Sequence, residues 1–303
     1  MFRTNIRLAV LSVYGVIVVI GIVLVLAFGP ALVARRYGYA WSLLIWLAPN
    51  VAILWWFLAS PEYEISKKKA FGWATLYLFM NGVILDVFFA HQFFTFPDRS
   101  AVLGIYLPGF SLTEFRFVWE SPFPLEEMFF YILGFICILL IYVWGDEYWF
   151  ARYRLQDSAA ESRRIGRLLG IHWHALVFAI FLLMVATAIK AIANPSTYFL
   201  PAYLTLQIVM AFAPTVVLLK SVGSFVNWRA FSFTLVTTLL ISIIYEVTLG
   251  VPGEWWGFQP EPMVGLFIAS WHALPIEEVT LWFAAVFMTV LVFEALKIRL
   301  ARE

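Results

Sequence analysis

The chain has 303 residues, of which 63% are hydrophobic and only 13% charged, and its net charge is +1. A soluble domain carries roughly 25% charged residues, so a water-soluble fold is excluded and lipid must solvate much of this surface. The longest basic run is Lys67-Lys68-Lys69, which excludes a nucleic-acid-binding surface, and the single Cys137 excludes an internal disulfide.

A membrane helix needs about 20 mostly apolar residues. Eight runs meet this requirement in chain order: about 8–29, 39–60, 71–93, 122–145, 170–192, 200–220, 230–250 and 272–296. The first follows Arg3 and Arg7; it is longer than a signal-peptide core and no small-x-small site follows it cleanly, so it reads as a span. Two connections are long. Residues 94–121 mix Pro, Asp, Arg and Phe, and residues 147–168 form a polar linker. The sequence therefore predicts an all-α, polytopic membrane protein. Its expected parts are a first membrane repeat over 1–146, a cytoplasmic linker over 147–168 and a second repeat over 169–303. About fifteen of the 20 basic residues fall at the termini and in the loops 61–70, 147–168 and 221–229. The excess of Lys and Arg in cytoplasmic loops then places both termini in the cytoplasm of a cell inner or plasma membrane, with loops 94–121 and 251–271 on the other side.

The order of features repeats. The third run ends in Asp86, followed by Phe93-Phe94-Thr95-Phe96-Pro97, then Val102-Leu103-Gly104-Ile105, then Pro124-Leu125-Glu126-Glu127. The seventh ends in Glu246, followed by Trp255-Trp256-Gly257-Phe258-Gln259-Pro260, then Val264-Gly265-Leu266, then Pro275-Ile276-Glu277-Glu278. Two four-helix halves explain this, with an insertion around 108–120 in the first. An even number of helices per half makes the repeats parallel and puts both motifs on one side of the membrane.

Pro and Glu also suit any first helical turn, where they fit the free N–H groups and the helix dipole. Two facts favour chemistry: carboxylates at membrane depth are costly and usually functional, and the unit recurs in matching places. Adjacent Glu residues point ~100° apart on a helix, so one member of each pair can face inward. Which one is open at this point. With Asp86 and Glu246 beside Glu126, Glu127, Glu277 and Glu278, six carboxyls gather at one level. Like charges in low dielectric do not all ionise, which leaves a Brønsted acid beside a base. Expected walls are Phe93, Phe94, Phe96, Phe129, Phe130, Trp255, Trp256, Phe258 and Trp282, and aromatic faces stabilise cations. Acid, base and aromatic walls suit alkene protonation, carbocation guidance and proton removal on a hydrocarbon drawn from the bilayer.

Other chemistries lack their residues. There is no G-x-G-x-x-G for a nucleotide cofactor and no D-D-x-x-D to hold a metal-bound diphosphate. The four His, at 91, 172, 174 and 272, are too few for a membrane di-iron centre, and His172 and His174 read as interfacial. No cofactor or metal is expected.

The doubled P-x-E-E, with its aromatic stretch and Gly-containing segment in register, resembles the membrane-embedded, flavin-free lycopene cyclase domain family. The resemblance covers about 71–145 and 230–295 and is closer in the second half. It implies redox-neutral cyclisation of the end groups of lycopene or a similar linear polyprenoid, with the carboxylates of the doubled motif as acid and base. A carotenoid hydratase would use the same groups, with water quenching the cation. A proton-coupled transporter or lipid-binding protein is the reading from another class. Partners are then membrane lipid and a hydrophobic substrate, with a homo-oligomer compatible with the chain.

Overall fold

The computed structural model describes residues 36–60, 63–111, 114–153, 172–196 and 198–301, with Val23 and Ala27. The expected run 8–29, apart from these two positions, and residues 154–168 of the linker lie outside the described residues. Among the described residues the chain is mostly helical. Seven long helices follow one another: α1 (Gly38–Ala59), α2 (Ile65–Phe93), α3 (Glu126–Trp149), α4 (Trp173–Ala193), α5 (Ala202–Val222), α6 (Trp228–Gly250) and α7 (Ile276–Leu300). Six of them, α2 to α7, are long and apolar enough to cross a membrane.

Expected and observed boundaries differ where proline acts. The run 122–145 becomes helical only at Glu126, because Pro122 and Pro124 lack N–H donors and hold their predecessors extended. The run 272–296 starts at Ile276, after Pro275. Helix α2 begins earlier than expected, at Ile65, and runs beyond Asp86 to Phe93. In α5, the turn Ile208–Phe212 is π-helical, and Pro214 follows it at the start of the next α-helical turn. A proline there cannot donate to a carbonyl four residues back, so the preceding turn widens.

Small sheets occupy the loops, where no alternating pattern announces strands. β1 (Phe94–Thr95) pairs antiparallel with β4 (Gly257–Phe258). β2 (Tyr106–Ser111) pairs with β3 (Arg116–Pro124), and β5 (Phe267–Ile268) with β6 (Leu274–Pro275). The base of the first hairpin, Tyr106↔Pro124 and Leu107↔Phe123, has the form of Phe267↔Pro275 and Ile268↔Leu274. The segment expected as an insertion is the extension of that first hairpin.

Helix packing follows one pattern twice. Helix α3 contacts α1 and α2 as α7 contacts α5 and α6; α2 meets α7 as α6 meets α3; and α3 meets α7 at the centre. Helix α7 is the most enclosed of the candidate spans, whereas α4 and α5 keep apolar faces outward (Val177, Phe181 and Met184 on α4), as lipid-facing helices do. Helix α7 also carries Glu277 and Glu278 in its first turn and Lys297 and Arg299 in its last, matching its dipole.

Two polar clusters mark the ends of the bundle. At one end Glu294 accepts from the Tyr142 hydroxyl (2.9 Å) and pairs with Lys297 (2.6 Å), all three buried. Nearby, Asn227 Nδ2 donates to Asp146 (3.0 Å), and Asn227 Oδ1 caps α6 by accepting from Ala230 N–H. The carboxylate motif lies at the other end.

Candidate functional site

The N-terminal ends of α1, α3, α5 and α7 and the C-terminal ends of α2, α4 and α6 are tied together at this end by side-chain bonds. Each P-x-E-E opens a helix and its two glutamates separate in function. Glu126 accepts from Leu103 N–H (2.6 Å), and Glu277 accepts from Val264 N–H (2.5 Å). The residue after each donor is a glycine with positive φ, Gly104 at 81° and Gly265 at 98°, a conformation that L side chains resist. Leu125 N–H then donates to Ile105 O, and Ile276 N–H to Leu266 O. The Val-x-Gly-like segment and the first glutamate are therefore one device, a loop pinned to the helix that follows it. Burial pushes the Tyr106 hydroxyl beside this loop above the ordinary tyrosine range; Arg99 opposes the shift, and Glu126 and Asp98 add to it.

The second glutamates turn inward by the ~100° step between neighbours. Glu127 accepts from the Tyr39 hydroxyl (2.8 Å) and Glu278 from the Tyr203 hydroxyl (2.7 Å). Tyr39 and Tyr203 stand at matching places, the first turns of α1 and α5. The carboxylates of the preceding helices are held from the same two helices, α3 and α7. Tyr131, four residues after Glu127, donates to Asp86 (3.0 Å), and Trp282 Nε1, four residues after Glu278, donates to Glu246 (2.5 Å). All six carboxyls are buried, none more than 7% exposed. Glu127 is within electrostatic reach of Asp86, and Glu246 of Glu278.

These groups surround a chamber of about 430 Å³. Three carboxyls line it, Glu127, Glu246 and Glu278, and among the described residues no Lys, Arg or His does. Its aromatic walls include Phe94, Phe96, Phe130, Trp256, Phe258 and Trp282. Tyr245 stacks on Trp256 (5.6 Å between centroids), and the Phe130 ring meets Trp282 edge-on (5.7 Å). The β1–β4 pairing closes one side, crossing from the loop after α2 to the loop after α6.

Not every expected residue is here. Glu126, Glu277 and Asp86 stand behind the wall rather than in it. Phe93 and Trp255 are fully buried in packing clusters on either flank. Phe129 points outward, 49% exposed, because it sits one ~100° step from Phe130 on the same helix. Conversely, Tyr39, Tyr131, Tyr203 and Leu281 line the chamber without having been singled out. The signal for Tyr131 is its i+4 spacing from Glu127, one turn along the same face; for Tyr39 and Tyr203 it is their recurrence at the start of matching helices.

Lys190 was also silent in sequence. It lies buried at the end of α4 and donates to the carbonyls of Glu261 (2.5 Å) and Met263 (2.9 Å), securing the loop that feeds Glu277. Among the described residues no cluster of His, Cys, Asp and Glu is arranged to hold a metal ion.

Compared with protein-family models, curated proteins and solved structures, the chain matches none. The site is thus defined by its own geometry: a chamber of carboxyls and aromatic rings, without a basic side chain among the described residues, at one end of an apolar helix bundle.

Proposed function

We propose that this is a membrane-embedded cyclase that isomerises the end group of a linear polyprenoid, lycopene or a relative of it, by acid–base chemistry without an organic cofactor. The observation that carries the reading is the chamber wall: three carboxyls, rings on the remaining faces and, among the described residues, no basic side chain. A carboxylic acid proton adds to the terminal trisubstituted alkene and leaves a tertiary cation. The π electrons of the next double bond close the ring by forming a C–C bond, and a second carboxylate removes a neighbouring C–H proton. One proton enters and one leaves, so the product is an isomer of the substrate. Carboxyls on different helices can play donor and acceptor, and the rings stabilise the cation between the two transfers.

The doubled motif that resembles the flavin-free lycopene cyclase domain supports the same reading. So does the internal correspondence of Glu127 with Glu278, Asp86 with Glu246, Tyr39 with Tyr203 and Gly104 with Gly265. We read it as two tandem four-helix repeats of one unit, eight spans in all, the first of them over 8–29. On the Lys/Arg distribution, the chamber end faces away from the cytoplasm.

Expression in a bacterium that accumulates lycopene, with pigments resolved by chromatography and mass, tests the function. A product of unchanged mass and shifted spectrum, absent with Glu127→Gln or Glu278→Gln, is the expected result. A product heavier by one water would replace cyclisation with hydration. Unchanged lycopene, with the protein in the membrane, would overturn the lycopene assignment.

A further inference from the structure

Two more cavities flank the chamber. One, of about 540 Å³, lies between α1, α3 and α6 and shares Phe130 and Trp282 with the chamber wall. The other, of about 590 Å³, lies between α2, α3, α5 and α7 and shares Tyr131, Tyr203 and Leu281. They are counterparts: Thr238, Ser242 and Tyr245 line the first where Leu78, Gly82 and Leu85 line the second, and Cys137 stands opposite Met288. The chamber is thus flanked by two arms built on one plan, each meeting it at shared wall residues.

Their chemistry differs. In the second arm the amide of Gln207 is fully engaged, its Nε2 donating to Glu277 O (3.0 Å) and its Oε1 accepting from Thr280 (2.8 Å). In the first arm, Asn50 is 2% exposed and its Nδ2 has no hydrogen-bond partner. The Thr238 hydroxyl, on the facing helix α6, is 5% exposed and also without a partner. A buried amide with no partner is costly to keep, so its presence in a largely apolar wall calls for something that bonds to it. Asparagine offers both a donor and an acceptor, and threonine either, so whichever way the amide is turned the complementary group is an oxygen, best a hydroxyl.

We infer that the first arm binds the oxygen-bearing part of the substrate, a linear polyprenoid alcohol whose hydroxyl bonds to Asn50 and Thr238 while its alkene end occupies the chamber. This rests on the cyclase reading for which end reacts. A site that bonds a hydroxyl discriminates against the analogue lacking it, because the protein group is then left unpaired.

The test is equilibrium binding to the full-length protein in lipid nanodiscs, read by quenching of tryptophan emission. The probes are an acyclic polyene hydrocarbon and its monohydroxylated derivative of the same chain length. The alcohol is expected to bind about tenfold more tightly, the value of one well-made hydrogen bond. In Asn50→Leu the two affinities converge, and in Thr238→Val the ratio falls by about half on a logarithmic scale. Hydrocarbon binding in each variant reports that the protein is folded, and if Asn50→Leu does not fold, wild type and Thr238→Val decide. Equal affinities in the wild type, or a preference that survives both substitutions, would overturn the inference. Binding preference without turnover would count against the cyclase reading alone, and turnover without preference against this inference alone.

Discussion

At the scale of single residues, the P-x-E-E motif divides its labour. Glu127 and Glu278 face the chamber, and replacing either by Gln removes a proton carrier while keeping its size. General acid–base catalysis is worth roughly 10²–10⁴ in rate, so each variant should lose about a hundredfold or more of activity with its thermal stability near that of the wild type. Glu126 and Glu277 behave the other way. Gln at 126 still offers an oxygen to Leu103 N–H and should be tolerated, whereas Glu126→Ala removes this bond between loop and helix, worth about 1 kcal/mol, and should lower the melting temperature. Pigment yield read beside thermal unfolding separates the two roles. Tyr39→Phe and Tyr203→Phe remove the hydroxyls that position Glu127 and Glu278; a loss of about tenfold in activity, with the protein still folded, is expected of a charge-assisted hydrogen bond.

At the scale of elements, the pinned loops depend on their glycines unequally. Gly104 has a positive φ but open space around its missing Cβ, so Gly104→Ala meets backbone strain alone, about 1–2 kcal/mol. Gly265 has a positive φ and a Cβ there would lie 2.3 Å from Asn194 Cβ, so Gly265→Ala should be the more destabilising of the two by thermal unfolding. At the opposite end, Lys297→Met leaves Glu294 buried with its charge unmatched and should cost about 3–5 kcal/mol, where a double replacement of the pair by apolar residues would restore much of it. The elements themselves were largely legible, because an apolar run of membrane length has few alternatives. The two-residue strands and the hairpin 106–124 were not. Short strands among Pro, Phe and Gly have no period to read, and their pairing is imposed by helices far apart in sequence. Of the site, the carboxyls and most of the rings were visible as motifs. Tyr39, Tyr203 and Lys190 were not, because each acts on a partner more than 70 residues away, and one sequence shows no such pairing.

At the scale of the whole molecule, the helices deliver every chamber residue to one end of the bundle. The proposed orientation puts that end on the side away from the cytoplasm. In a Cys137→Ser background, Ser100→Cys in the loop before β2 should react with an impermeant maleimide in intact cells. Ser66→Cys, at the other end of α2, should react only after lysis. Reversed labelling would turn the molecule over without altering its chamber. The internal correspondence has an energetic side as well: each half supplies one tyrosine-held glutamate, and neither half alone encloses the chamber, since its walls come from α1, α3, α5, α6 and α7 together.

The central claim is that a proton enters the substrate from one carboxyl and another leaves to a second. It is tested most directly by running the conversion in D₂O with membranes containing the protein and resolving the product by mass. A cyclic isomer carrying one deuterium for every ring formed is expected, with about a hundredfold less, or none, made by the Glu127→Gln or Glu278→Gln proteins. A ring that forms without deuterium, or one that forms equally well without these glutamates, would contradict it.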